Sequence, residues 1–230
     1  MPIAIGMGVS KFFLTLTIWL AASFGFGAPL PGFVLAGQTA HFSFYSRGEK
    51  VDTAKVEKRV GELEKLFGQS LTGQASYYRY KDAQEVAAGT GHYAAGVTLA
   101  SNEIHSTEPC HDHELVHLVA NRLGRPGAFF EEGLAVAVGN KGEWQGRSAD
   151  KIAKTSAVSI PQMVAAFDRY EPNAAYAVAG SFVGFLVRTH GVEQVTKFFR
   201  ACHKGVDTAA FAATFGGSLE AVSADWRKSL

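Results

Sequence analysis

The stretch that most constrains this chain is His113-Glu114-Leu115-Val116-His117, an H-E-x-x-H pattern. On a helix, residues four apart share a face one turn apart, so both imidazoles can touch a single zinc ion while Glu114 stands beside the metal without binding it. Zinc at a catalytic site takes three protein ligands and leaves the fourth position to water, so a third donor is required. After a break at Gly124 and Pro126, Phe129-Phe130-Glu131-Glu132-Gly133-Leu134-Ala135 brings two carboxylates on the next predicted helix. Adjacent side chains on a helix point about 100° apart, so only one of the two can face the histidines. Gly133 allows close helix approach beside Glu132, which favours Glu132 over Glu131.

The flanks suit a metal-binding helix. Ser106 or Thr107 can cap its start and Pro109 suits its first turn. Leu115, Val116, Leu118, Val119 and Leu123 supply a buried stripe, and Gly124 with Pro126 ends it.

Together the two segments resemble the gluzincin branch of zinc metallopeptidases, the peptidase MA-like group, in which a Glu immediately before Gly on the following helix completes the metal site. By that resemblance His113, His117 and Glu132 match the metal ligands and Glu114 matches the general base. Ala175 to Leu186, and Phe215-Gly216-Gly217-Ser218-Leu219-Glu220 to Trp226-Arg227, are similar to the family's C-terminal helices, so the likeness covers residues 92–230. It departs at Val136, which stands where the thermolysin-like Glu-x-x-x-Asp pattern has its Asp, so the carboxylate that orients a ligand histidine is unassigned. The resemblance also implies a strand along the active-site cleft that pairs with extended substrate. Val97 to Ile104 is the candidate edge, the alternative being a plain core strand, since period-2 patterning does not separate the two. Tyr176, on the family-like helix, is the candidate oxyanion donor because a phenol is a neutral donor at working pH. The competing reading is a tyrosine that packs its ring at a helix start.

At 230 residues, 47% hydrophobic and formally +1, the chain can bury a core as one domain or two tightly joined layers. The near-neutral charge offers no basic patch for nucleic acid, so no nucleic-acid partner is expected. Residues 1–36 read as a signal peptide: Lys11 precedes the apolar run Phe12 to Ala22, and no acidic residue occurs before Glu49. Val34-Leu35-Ala36 or a site near Ala28 is the candidate processing point, and the expected location is secreted or periplasmic. An uncleaved membrane anchor is the alternative, although Pro29 and Pro31 interrupt the run. No other membrane contact is expected.

Cys110 and Cys202 are the only cysteines, and in an exported chain they can pair, which would constrain the unfolded chain by about 4 kcal/mol. Separate buried thiols, or Cys110 leaning toward the metal, are the other readings. His111 could pair with His113 at strand period, but the helical stripe argues against that. His41, His92, His105, His190 and His203 read as surface or satisfied core histidines.

The expected fold class is α+β, with an N-terminal α/β subdomain over 37–105 and a mostly helical, zincin-like subdomain over 106–230. His41 to Tyr45 alternates as a strand. Asp52 opens a helix bearing Val56, Val60, Leu63 and Leu66, and Gly68 and Gly73 bracket a turn. Tyr77 to Tyr80 is a second strand, Ala83 to Ala88 a short helix, Gly89 to Gly91 a loop, and Tyr93 to Ile104 holds the last strand before the metal helix. Lys141 to Lys154 reads as a polar loop or cleft rim. Helices follow from Ile160 to Phe167, from Ala174 to Thr189 and after Gly191, with two short ones at the end.

Two function classes emerge. The first is an exported zinc-dependent (Zn2+) metallopeptidase, expected as a monomer acting on peptide or protein substrates, in which zinc lowers the pKa of bound water and Glu114 takes the proton. The second is a non-catalytic, metal-containing peptide-binding module on the same scaffold. The presence of Glu114 argues for the first, since a structural site needs no base.

Overall fold

Alternating aromatic residues on parallel strands set the frame. The computed structural model describes residues 29–99 and 102–230. Most of the expected export segment, with the Ala28 processing point, lies outside the described residues. The alternative point, Val34-Leu35-Ala36, falls within a strand, β1 (Val34–Gln38). The larger sheet has the order β1, β2 (Phe42–Ser46), β3 (Ala75–Arg79), β5 (Glu103–Ser106), β4 (Gly96–Leu99). β2, β3 and β5 run parallel, while β1 and β4 close the two edges antiparallel. The molecule is α+β, with this mixed sheet in the N-terminal half and a mostly helical C-terminal half.

The sheet is covered on both faces, which is why β2 is buried along its whole length. On one face Phe42, Phe44, Tyr77 and Ile104 join the main core, which continues through the helices to Trp226. On the other, Phe33, Tyr45, Tyr78, Tyr80 and Val86 form a smaller cluster under helix α2 (Ala83–Thr90). His105 belongs to that side: its ring stacks on Tyr78, and its Nδ1 lies 2.9 Å from the Tyr80 hydroxyl.

Helix α1 (Thr53–Phe67) starts where the Asp52 carboxylate accepts from Lys55 N–H and ends at Gly68 in the left-handed region. Its buried stripe is Val56, Val60, Leu63 and Phe67, so the expected Leu66 is instead solvent-facing. A 4-3-4 spacing keeps to one side of the cylinder, and Leu66 lies one position, about 100°, off it. The single strand expected over 93–104 is a hairpin of β4 and β5. Ile104 is therefore central, between β3 and β4, and of the two hairpin strands β4 is the edge.

The metal-motif helix, α3 (Asp112–Ala120), begins later than the caps suggested. Ser106 ends β5, and Thr107 and Pro109 lie in the connection, where Pro109 O accepts from Asp52 N–H. Helix α4 (Ala128–Leu134) passes directly into a π-helical turn over Ala135–Gly139. The Lys141 to Lys154 stretch is more ordered than a loop: β6 (Glu143–Trp144) and β7 (Arg147–Ser148) form a small hairpin, followed by α5 (Ala149–Lys154). Helices α6 (Ile160–Ala165), α7 (Pro172–His190), α8 (Val192–Ala201), α9 (Thr208–Phe215) and α10 (Leu219–Ser229) complete the chain. Among the described residues no helix is long and apolar enough to cross a membrane.

Helix α7 is the spine of this half, and α4 lies against it because residue 133 has no side chain. A Cβ on Gly133 would sit 2.5 Å from Val183 Cγ2 and 2.7 Å from the Ala179 carbonyl oxygen. That close approach sets the height at which the neighbouring Glu132 faces α3.

Candidate metal centre

Two elements deliver three side chains to one point. His113 and His117 are one turn apart on α3, and Glu132 comes from α4. The two Nε2 atoms are 3.1 Å apart, and Glu132 Oε2 is 3.1 Å from that of His113 and 3.2 Å from that of His117. Zinc bonded at about 2.0–2.1 Å in tetrahedral geometry has ligand edges of about 3.3 Å, so this triangle matches one face of such a site. Protons satisfy it less well than a cation would. If both Nε2 atoms donate to the carboxylate, two N–H groups confront each other, and if one nitrogen is bare, a contact to the carboxylate is lost. A cation above the triangle satisfies all three lone pairs at once.

The electrostatics follow. Burial opposes ionisation of Glu132, but hydrogen bonds and charge from His113 and His117 outweigh it and hold its carboxyl down to about 2. Burial likewise opposes charge on His117, and the Glu132 carboxylate outweighs it, raising the imidazole above its usual value. A cation at this point would therefore compete with a proton on His117. His113 Nδ1 is buried without a hydrogen-bond partner, so among the described residues no carboxylate orients this imidazole.

The competing carboxylate is engaged elsewhere. Glu131 pairs with Arg125 through both oxygens at 3.0 Å and accepts from Gly127 N–H. Among the described residues, His113, His117 and Glu132 are the one group of this kind placed so that they could hold a metal ion. Cys110 does not join it: its thiol faces Asp112, and burial pushes it up to about 12. Cys110 and Cys202 are separate buried thiols. His111 stands just outside the helix, its Nδ1 2.9 Å from Ser106 Oγ, and burial lowers its pKa.

Glu114 is buried beside the triad but outside it, and it lines a cleft of about 1030 Å³ together with all three members. β4 forms one wall of that cleft, and a residue on it, Thr98, hydrogen-bonds Glu114. Tyr176 on α7 lines the same cleft, its ring stacked on Trp144 at a centroid separation of 4.5 Å and 6.4 Å from the His113 ring. Burial, and then the charges of Glu132 and Glu114, push the Tyr176 phenol well above its usual pKa, so it is a neutral donor. Its hydroxyl makes no hydrogen bond among the described residues. Thr98 and Trp144 were not singled out from the sequence, since Thr98 depends on strand register and Trp144 on a hairpin signalled only by Gln145-Gly146, both at positive φ.

A shell of polar ties holds the site. Arg59 of α1 reaches across to place its Nε 3.7 Å from Asp112 and donates to the Val138 carbonyl, linking the start of α3 to the π-helical turn. Compared with protein-family models and with curated proteins, the chain has no significant match in either set.

Proposed function

We propose that this protein is an exported, zinc-dependent metallopeptidase that hydrolyses peptide bonds. The observation that carries the reading is the convergence of His113, His117 and Glu132 on one point, with a second carboxylate, Glu114, beside it and not consumed by it. Zinc, when held there, would supply a Lewis acid and lower the pKa of a nearby water toward neutrality.

The chain's own residues account for the rest. His113, His117 and Glu132 would hold the ion with one negative charge among them. Glu114 accepts the proton of the attacking water and returns it to the leaving amine, the general acid–base role. The neutral Tyr176 phenol donates a hydrogen bond to the carbonyl oxygen as it gains charge. Edge strand β4 runs along the same wall, so an extended substrate backbone can add to the sheet there.

The test is a digest of a mixed peptide library by the zinc-loaded protein, with and without chelator, repeated with Glu114→Gln. Cleavage that chelator abolishes, and that Glu114→Gln loses while still binding zinc, is the expected result. Zinc retained with no peptide cut would leave the non-catalytic binding module instead.

A further inference from the structure

The peptidase reading makes Glu114 the base but does not say what fixes its carboxylate in a cleft open to water. β4 alternates as an edge strand does: Val97 packs toward the Phe33 and Tyr78 cluster, while Gly96 and Thr98 face α3. Thr98 Oγ1 lies 2.8 Å from Glu114 Oε2 and 3.0 Å from the backbone carbonyl oxygen of the same residue. The one hydroxyl proton is thus shared between the carboxylate and the backbone carbonyl of Glu114, with the shorter contact to the carboxylate. The strand comes this near only because position 96 is glycine, where a Cβ would lie 2.8 Å from Glu114 Cγ and 2.3 Å from His111 Nδ1.

From this geometry we infer that Thr98 is a positioning residue for the general base: its hydroxyl donates to Oε2 and locks the carboxylate so that Oε1 alone serves the reaction. A hydrogen bond to a carboxylate is stronger than one between neutral groups, which suits it to selecting one rotamer. Glu114 Oε1 accepts no hydrogen bond among the described residues and is not one of the buried atoms left without a partner, so it reaches the cleft. The two oxygens therefore divide the work, one held and one free. Because the hydroxyl also touches the Glu114 backbone, the lock is referenced to the helix that carries His113 and His117.

This rests on the peptidase reading for its catalytic consequence, and the test separates the two. Thr98→Val removes the donor at constant shape, and Thr98→Ser keeps it. In the full zinc-loaded chain, Thr98→Val is expected to lower kcat on the order of 10- to 100-fold, the usual cost of losing an outer partner, with KM, zinc content and melting midpoint close to wild type. Thr98→Ser is expected to restore most of the rate. In metal-free protein labelled with carbon-13 at glutamate carboxyls, the Glu114 resonance, assigned through Glu114→Gln, should move in Thr98→Val and stay in Thr98→Ser. Wild-type turnover and an unmoved resonance in Thr98→Val overturn the inference. If wild-type protein cuts no peptide, the peptidase reading fails alone, and the resonance still decides whether Thr98 holds Glu114. Should Thr98→Val not fold, Thr98→Ala carries the same comparison.

Discussion

Two neighbouring glutamates illustrate what a single position decides. Glu131 and Glu132 are identical in chemistry, yet one neutralises Arg125 at the surface and the other closes the triad. Glu132→Gln is expected to cost more zinc affinity than the 10- to 100-fold loss typical of an outer-shell partner, because a direct ligand is removed. Glu131→Gln should change zinc affinity little and stability by less than about 1 kcal/mol, since Arg125 is half exposed. Competition with a chromophoric chelator reads both, and comparable losses in the two variants would contradict the geometry. At this scale the triad and Glu114 were legible because helical spacing converts a local pattern into a spatial one. Thr98 was not, because it meets Glu114 across a strand whose register is written nowhere near it.

Elements impose the distances that residues then use. α4 reaches α7 over Gly133, and the π-helical turn that follows Glu132 continues the same chain into contact with the start of α3. A side chain at 133 would collide with backbone at Ala179, which cannot swing aside as a side-chain tip can. Gly133→Ala is expected to destabilise by about 1–3 kcal/mol, the usual range for overpacking, and to weaken zinc binding as Glu132 is levered out. A urea midpoint beside a zinc titration checks both, and a variant as stable and as tight as wild type would refute the packing argument. The start of α1 was readable because Asp52 stands before the apolar stripe, and its side chain does cap. The start of α3 was misplaced because Ser106, a good cap by type, is the last residue of β5 and spends its hydroxyl on His111 and Glu108 N–H. Capping propensity says which residues can begin a helix, while sheet pairing decides which are already committed.

Over the whole molecule, one core joins the sheet to the helices: Phe42 and Ile104 belong to the same buried cluster as Phe182 and Trp226. Unfolding is therefore expected as one transition, and the buried thiols of Cys110 and Cys202 should become reactive together with loss of helix, not before it. Thiol labelling followed alongside circular dichroism tests this, and early labelling of one cysteine would show a separable half. Ionisation bounds the stable range on the alkaline side. Burial pushes Tyr77 upward and Tyr80 up to about 12, so the folded protein holds neutral phenols that the unfolded chain would ionise near pH 10. Because these pKa values are raised on folding, their contribution is complete below about pH 10 and is lost as pH climbs from there through the folded values. A urea midpoint at pH 11 should fall below that at pH 8. Metal acts in the other direction, and its effect has a size. The triad is assembled only when α3 and α4 are docked on the common core, so an ion that binds it binds the folded state and not the separated segments. Free zinc at a hundredfold excess over its dissociation constant should then add about 2.7 kcal/mol to unfolding. The melting midpoint should rise with zinc concentration in wild type and stay flat in His113→Ala, whereas an equal rise in both would mean the ion is held somewhere other than this triangle.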